Sequence, residues 1–248
     1  MKSLWIALGF LTVLPIPLKW EMKPADMGKS MAFFPMAGAL IGGILVFVDV
    51  MLSYILPRPV ADFILIAALV LITGGLHLDG LADTCDGLYG GKSREDALMI
   101  MKDSRVGAIG ATGLILMIGL KYIALLSISQ GLKHIALLVM PLLSRWSMVL
   151  MAYLSGYARM TQGTGRDFVE TVSPLSLFLA TLFTMATGLS IMGWRGGLAI
   201  LLIGGITLMG VIYFKQRLGG VTGDVLGAVN EVNEVLVLLF ILIISQGK

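Results

Sequence analysis

Asp79, Asp83 and Asp86 stand at i, i+4 and i+7 in Gly75-Leu-His-Leu-Asp-Gly-Leu-Ala-Asp-Thr-Cys-Asp-Gly87. On a helix they fall within about 60° of one another. Three like charges so placed repel and destabilise a bare helix. A hard divalent cation relieves that repulsion, and Mg²⁺ does so through a few oxygen ligands while keeping positions for water or phosphate. A helix end solvated by headgroup water would account for one aspartate. Three on one face, interleaved with Gly80, Gly87 and Gly90 that let a ligand or a second backbone approach, point to a metal, and the chemistry such a set supports is phosphoryl transfer.

Two further polar groups can serve that chemistry. Met101-Lys-Asp-Ser-Arg-Val-Gly107 crowds Lys102, Asp103 and Arg105 against a glycine-rich apolar run. Arg105 can grip phosphate with a bidentate fork and Lys102 as a point charge. A helix starting at Gly107 would offer free N–H groups to the same pocket. Alone, the basic pair would be the mark of a segment holding anionic lipid headgroups. Late in the chain, Asp224, Gly227, Glu231 and Glu234 cover about 80° of one helix face. Glu231 and Glu234 lie inside an apolar run, where carboxylates are costly. A structural pairing with Arg145 and a contact to metal or substrate are both open to them. His77, nearly opposite the Asp79 face, is read as a structural hydrogen-bonding group, and Cys85 as a small packing residue.

The elements that must hold these groups are membrane helices. Of 248 residues, 57% are hydrophobic and 13% charged, too little polar surface for a water-soluble shell. The same balance excludes a disordered chain. Apolar runs of spanning length occur at Met31–Leu56, Val60–Leu76, Gly107–Ile128, Leu132–Leu154, Pro174–Gly193, Leu198–Phe214 and Val225–Ile244. The expected fold is all-α, a polytopic bundle of about seven spans and a short N-terminal membrane segment between Leu4 and Leu18. Residues 1–248 form a single integral-membrane catalytic domain in this reading.

The connections alternate. Lys19–Ser30, His77–Arg105, Ser155–Ser173 and Lys215–Asp224 are long and charged, and together hold 11 of the 18 basic residues. Pro57–Pro59, Ser129–Gly131 and Met192–Gly197 are tight. The positive-inside rule puts the long connections in the cytoplasm and the C-terminus outside. One lone cysteine and the absence of Cys/His spacing exclude a zinc or iron–sulfur centre. Dispersed basic residues, with a net charge of +3, speak against a nucleic-acid partner.

Taken together, Gly75-Leu-His-Leu-Asp-Gly-Leu-Ala-Asp-Thr-Cys-Asp-Gly-Leu and Met101-Lys-Asp-Ser-Arg-Val-Gly-Ala-Ile-Gly resemble the signature of the cobalamin synthases, also called adenosylcobinamide-GDP ribazoletransferases. Thr12-Val-Leu-Pro-Ile-Pro, Phe34-Pro-Met-Ala-Gly and Gly223-Asp-Val-Leu-Gly-Ala fit as well, so the likeness runs through essentially the whole chain. It implies an inner-membrane, Mg²⁺-dependent enzyme that joins adenosylcobinamide-GDP to α-ribazole or its 5′-phosphate, closes the nucleotide loop of cobalamin and releases GMP. Membrane lipid is then a partner, and a homo-oligomer is left open. On this reading Asp79, Asp83 and Asp86 bind the metal and Lys102 and Arg105 steady the departing GMP. Asp103 is the candidate general base, with Asp224 or Glu231 as alternatives, and Gly80, Gly87, Gly107, Asp224 and Glu231 line the substrate site. Two rivals share features. A CDP-alcohol phosphotransferase would use the same metal logic, but its DxxDGxxAR pattern is not reproduced. A transporter would need ionisable groups at midplane and an internal repeat, and the acids here concentrate at one face.

Overall fold

The structure is a computed structural model that describes residues 2–16, 21–159, 163 and 165–246. Its described residues form helices and no strand, with one isolated bridge between Tyr157 and Val221. The chain opens on α1 (Lys2–Leu11), ten residues long and too short to cross a bilayer. Next, α2 (Pro24–Ser30) runs through the 3₁₀ turn Met31–Phe33 into α3 (Phe34–Ser53). Then come α4 (Arg58–Ile72), α5 (Leu76–Gly90), α6 (Arg94–Ile100) and α7 (Ala108–Ser127). The remainder is α8 (Gln130–Ser155), α9 (Arg166–Thr171), α10 (Pro174–Met192), α11 (Trp194–Leu218) and α12 (Gly223–Gln246).

Six helical stretches are long and apolar enough to span: Pro24–Ser53, α7, α8, α10, α11 and α12. The seventh expected span, Val60–Leu76, is altered. Helix α4 stops at Ile72, after a rise of roughly 22 Å against a hydrocarbon core of about 30 Å. The chain then turns through 87° into α5. Gly74 and Gly75 make the corner with φ of 62° and 70°, a backbone region open chiefly to glycine. Helix α5, with its three aspartates, therefore leaves the line of α4, and the bent pair is a broken span or a re-entrant loop.

Helix α8 is the axis of the bundle, flanked by α3, α10, α11 and α12. Its charges are compensated where they are buried. Lys121 of α7 donates to Glu231 (2.6 Å) and to Glu234, and Arg145 of α8 donates to Glu234, which also accepts from Asn230 (3.1 Å). The pairing foreseen for Arg145 and Glu234 is present, and Lys121 is a third member that spacing alone did not reveal. Glu231 is 4% exposed and its Oε2 accepts from Lys121 inside the bundle, so the structure shows it in an ion pair.

The long charged connections meet at one end. Helix α2 packs on α9, and α6 on α5 and α11. Arg94 donates to the Ala158 carbonyl (2.9 Å) and Arg217 to that of Gly91 (2.5 Å). The segment His77–Arg105, read above as a connection, is two helices. At the opposite end Lys133 lies 2.5 Å from carboxylate oxygens of both Asp49 and Asp62, and Arg58 donates to Asp62 (3.3 Å). Arg58 and Lys133 on that side are thus ion-paired.

Candidate active site

Helix α5 carries the three aspartates as the i, i+4, i+7 spacing requires, and lies across the start of α12. The crossing is close: a Cβ on Gly80 would sit 2.9 Å from the Asp224 Cα. Gly80 therefore brings the Asp79–Asp83 face to Asp224 rather than leaving room for a ligand. Gly87 makes a like approach to Ala97 of α6 and to Met101 just past its end. Both are expected at the substrate, and the structure shows both at close helix contacts.

The trio divides. Asp86 turns away to α7, where its Oδ2 accepts from the N–H of Gly107 (2.7 Å) and its Oδ1 from that of Gly110 (2.8 Å). It fills the positive end of that helix and satisfies two of the N–H groups that a helix start leaves open. The N–H of Gly107, expected to face phosphate, is thereby taken. Both glycines are required by this contact, since a Cβ on Gly107 or Gly110 would fall within 2.5 Å of the Asp86 carboxylate. Asp86→Ala is expected to lose about 2 kcal/mol of stability, seen as a lower thermal midpoint in detergent, with turnover per folded molecule kept within tenfold. A normal midpoint with turnover abolished would return Asp86 to the reacting atoms.

Asp79 and Asp83 remain, and neither carboxylate has a hydrogen-bond partner among the described residues. Asp224 completes the group from α12, with its Oδ2 accepting from Arg159 (2.8 Å) and Thr222 (3.2 Å). Burial first, and then the charges of Asp79 and Asp224, push Asp83 up to about 7, with Arg159 pulling the other way. A carboxylate so placed calls for a cation. Among the described residues no three acidic, histidine or cysteine side chains could by themselves hold a metal ion. Two unpartnered carboxylates are nonetheless what Mg²⁺ takes from a protein when waters and substrate phosphates supply its other oxygens. Asp79 and Asp83 fit that pattern; Asp86, with both oxygens engaged, does not.

Lys102 is exposed, and so is Arg105, whose guanidinium forks onto Asp103 with Nε at 3.0 Å and Nη2 at 2.6 Å. That fork holds Asp103 well below the usual carboxylate range, at about 2. So weak a base takes up a proton poorly near neutrality, and the arrangement suits Asp103 to orienting Arg105 instead. Spacing gave no hint of Arg159, whose partner lies 65 residues further on.

Beside Asp79 and Asp224 is a cavity of about 190 Å³, walled by Phe10, Phe34 and Phe168 and reaching His77. Helices α1, α3 and α9 each supply one ring. Of the assigned residues the structure thus unites Asp79, Asp83 and Asp224 and leaves Lys102, Asp103 and Arg105 as a separate group at the same end, with Lys102 and Arg105 exposed.

Comparison with known proteins agrees over the whole length. A family model described as cobalamin-5-phosphate synthase matches residues 3–242. The adenosylcobinamide-GDP ribazoletransferase of Geotalea daltonii is 41% identical over 245 residues, 99% of this chain and 98% of the relative. Its namesakes from Caldanaerobacter subterraneus and Acetivibrio thermocellus are each 36% identical, over 97% and 96% of both chains respectively. No solved structure matches.

Proposed function

The chain belongs to the cobalamin-5-phosphate synthase family, and on that premise we propose how its helix-end aspartates perform the transfer. Its activity is that of an adenosylcobinamide-GDP ribazoletransferase in cobalamin synthesis. The observation that carries the mechanism is the meeting of Asp79 and Asp83 with Asp224 and Arg159 at the mouth of an aromatic cavity.

The reaction displaces GMP from the diphosphate of adenosylcobinamide-GDP. The ribazole 3′-hydroxyl oxygen forms a bond to the corrinoid-side phosphorus, the bond from that phosphorus to the oxygen of GMP breaks, and GMP departs with the electron pair. Such a transfer needs charge neutralisation and in-line placement more than covalent help. Asp79 and Asp83 would hold Mg²⁺, which when bound offsets negative charge on the diphosphate. Asp224 is the base this geometry favours: it borders the cavity, and Arg159 and Thr222 occupy Oδ2, leaving Oδ1 for the hydroxyl proton. Lys102 and Arg105 would meet the phosphate of the departing GMP.

Arg105→Lys keeps the charge and loses the fork, so kcat/KM should fall about tenfold. Asp103→Asn should fall by a similar or smaller factor, whereas loss of a general base would cost roughly 10²–10⁴. A loss in that larger range for Asp103→Asn would restore it as the base.

The basic residues of the long connections support a cytoplasmic site and an external C-terminus in a bacterial inner membrane. The direct experiment is GMP release by purified protein in detergent. Release should need Mg²⁺, adenosylcobinamide-GDP and α-ribazole together; release of CMP from a CDP-lipid instead would favour the phospholipid-synthase reading.

A further inference from the structure

Leu81, Thr84, Cys85 and Leu88 recur at i, i+3, i+4 and i+7 along α5, on the face turned away from Asp79 and Asp83. Behind that face lies a second cavity, of about 240 Å³, bounded by α8, α11 and α12. Helix α11 packs on α8, α10 and α12 and leaves α5 across the gap. Small residues keep the gap open, Gly210 of α11 and Ala228 of α12 being two of its walls. A Cβ at Gly210 would meet the tip of Met151 at 3.0 Å and nothing else within 4 Å. The wall is almost wholly carbon. Thr207 turns its hydroxyl back to the Ile203 carbonyl (2.7 Å), and Asn233 donates its amide to Ser147 (2.7 Å). An apolar cavity of this kind stays dry and takes an apolar occupant, and about 150 Å³ already admits benzene.

Two features say which occupant. The cavity is continuous with the lipid-facing surface: Val232 in its wall is 39% exposed, and α11 presents Leu208, Met209 and Ile212 outward along the same stretch. Charge is complementary at one end. There α5 and α11 meet, with Arg217 donating to the Gly91 carbonyl (2.5 Å). Exposed Lys215 follows Phe214 of the wall, and exposed Lys92 follows Gly91. Lysines at a membrane edge attract anionic headgroups, each strengthening binding about fivefold.

We propose that one acyl chain of an anionic phospholipid occupies this cavity, with the lipid phosphate at Lys92 and Lys215. Neither substrate of the transfer carries a long alkyl chain, so the site is separate from the one at the aspartates. The chain fills the space behind the helix whose other face holds Asp79 and Asp83, and lipid thereby braces that helix from the rear.

The test uses the full chain in phosphatidylcholine vesicles holding a small fraction of phosphatidylglycerol with a diazirine near the end of one acyl chain. After illumination, peptides covering Leu81–Leu88 and Ile206–Phe214 should carry roughly tenfold more label than the exposed stretch Phe178–Met185 of α10. Gly210→Leu fills the cavity, so it should remove that excess and leave the label on α10 unchanged. The same diazirine on phosphatidylcholine should label the wall about fivefold less or weaker still, and Lys92→Gln with Lys215→Gln should bring the two probes together. Should Gly210→Leu fail to fold, competition decides: unlabelled phosphatidylglycerol should suppress labelling of the wall and not that of α10. A wall labelled no more densely than α10, an excess that persists in Gly210→Leu or under competition, or equal labelling by the two probes in the wild type would each overturn the assignment. No readout depends on turnover, so the lipid site stands or falls apart from the transferase reading.

Discussion

Asparagine in place of Asp83 should lower GMP release by at least about a thousandfold while leaving the fold intact. The size follows from losing one of two carboxylates that would hold the metal against the diphosphate, an electrostatic contribution of several kcal/mol to the transition state. Intact folding follows from where Asp83 sits. Its carboxylate forms no hydrogen bond among the described residues, is partly buried, and faces Asp79 and Asp224. In metal-free protein its ionised form is a burden. Burial and those neighbours raise it from an ordinary value near 3.8 to about 7, so the folded state holds the proton more tightly than the unfolded one. Wild-type stability from this group is thus greatest at acid pH and declines as pH rises between those two values. Asn removes that decline. Asp83→Asn should therefore melt no lower than wild type in chelator at pH 8, and turnover within tenfold of wild type would end the metal proposal.

The second large effect is on stability. Glu234→Gln removes the anion shared by Lys121 and Arg145, leaving a fully buried guanidinium without a counter-charge. Breaking a buried pair from one side typically costs about 3–5 kcal/mol, a large part of the roughly 5–15 kcal/mol that holds a protein folded. The variant should show a sharply lower thermal midpoint in detergent and poor recovery from membranes. Replacing both partners, Arg145→Met with Glu234→Met, should regain most of the loss, because the Lys121–Glu231 pair then stands neutral by itself. A Glu234→Gln protein as stable as wild type would show that water or another group already compensates Arg145.

Much of this was readable from residue order, and the failures share a cause. Apolar run length located the spans, because nothing else fits twenty such residues into this fold. Spacing put Asp79, Asp83 and Asp86 on one helix. It could not show that Asp86 would serve the start of α7, because that depends on Gly107 and Gly110 letting the helix close on it. The partner of Glu231 was hidden for the same reason, since Lys121 lies 110 residues away. Arg159 was invisible within a connection that spacing marks only as charged. The corner at Gly74–Gly75 lay inside an unbroken apolar stretch, and the paired glycines were its one signal. Periodicity is local, whereas partners across helices are set by tertiary packing.

The charged knot between α7, α8 and α12 also bears on how the chain is made. Lys121 and Arg145 leave the ribosome well before Glu231 and Glu234, and 110 residues of synthesis take roughly 5–20 s. Until then each cation alone in lipid costs about 2.5–3.5 kcal/mol. A chain truncated before α12 should therefore insert α7 and α8 less stably than the full chain, a loss that Lys121→Met with Arg145→Met would relieve.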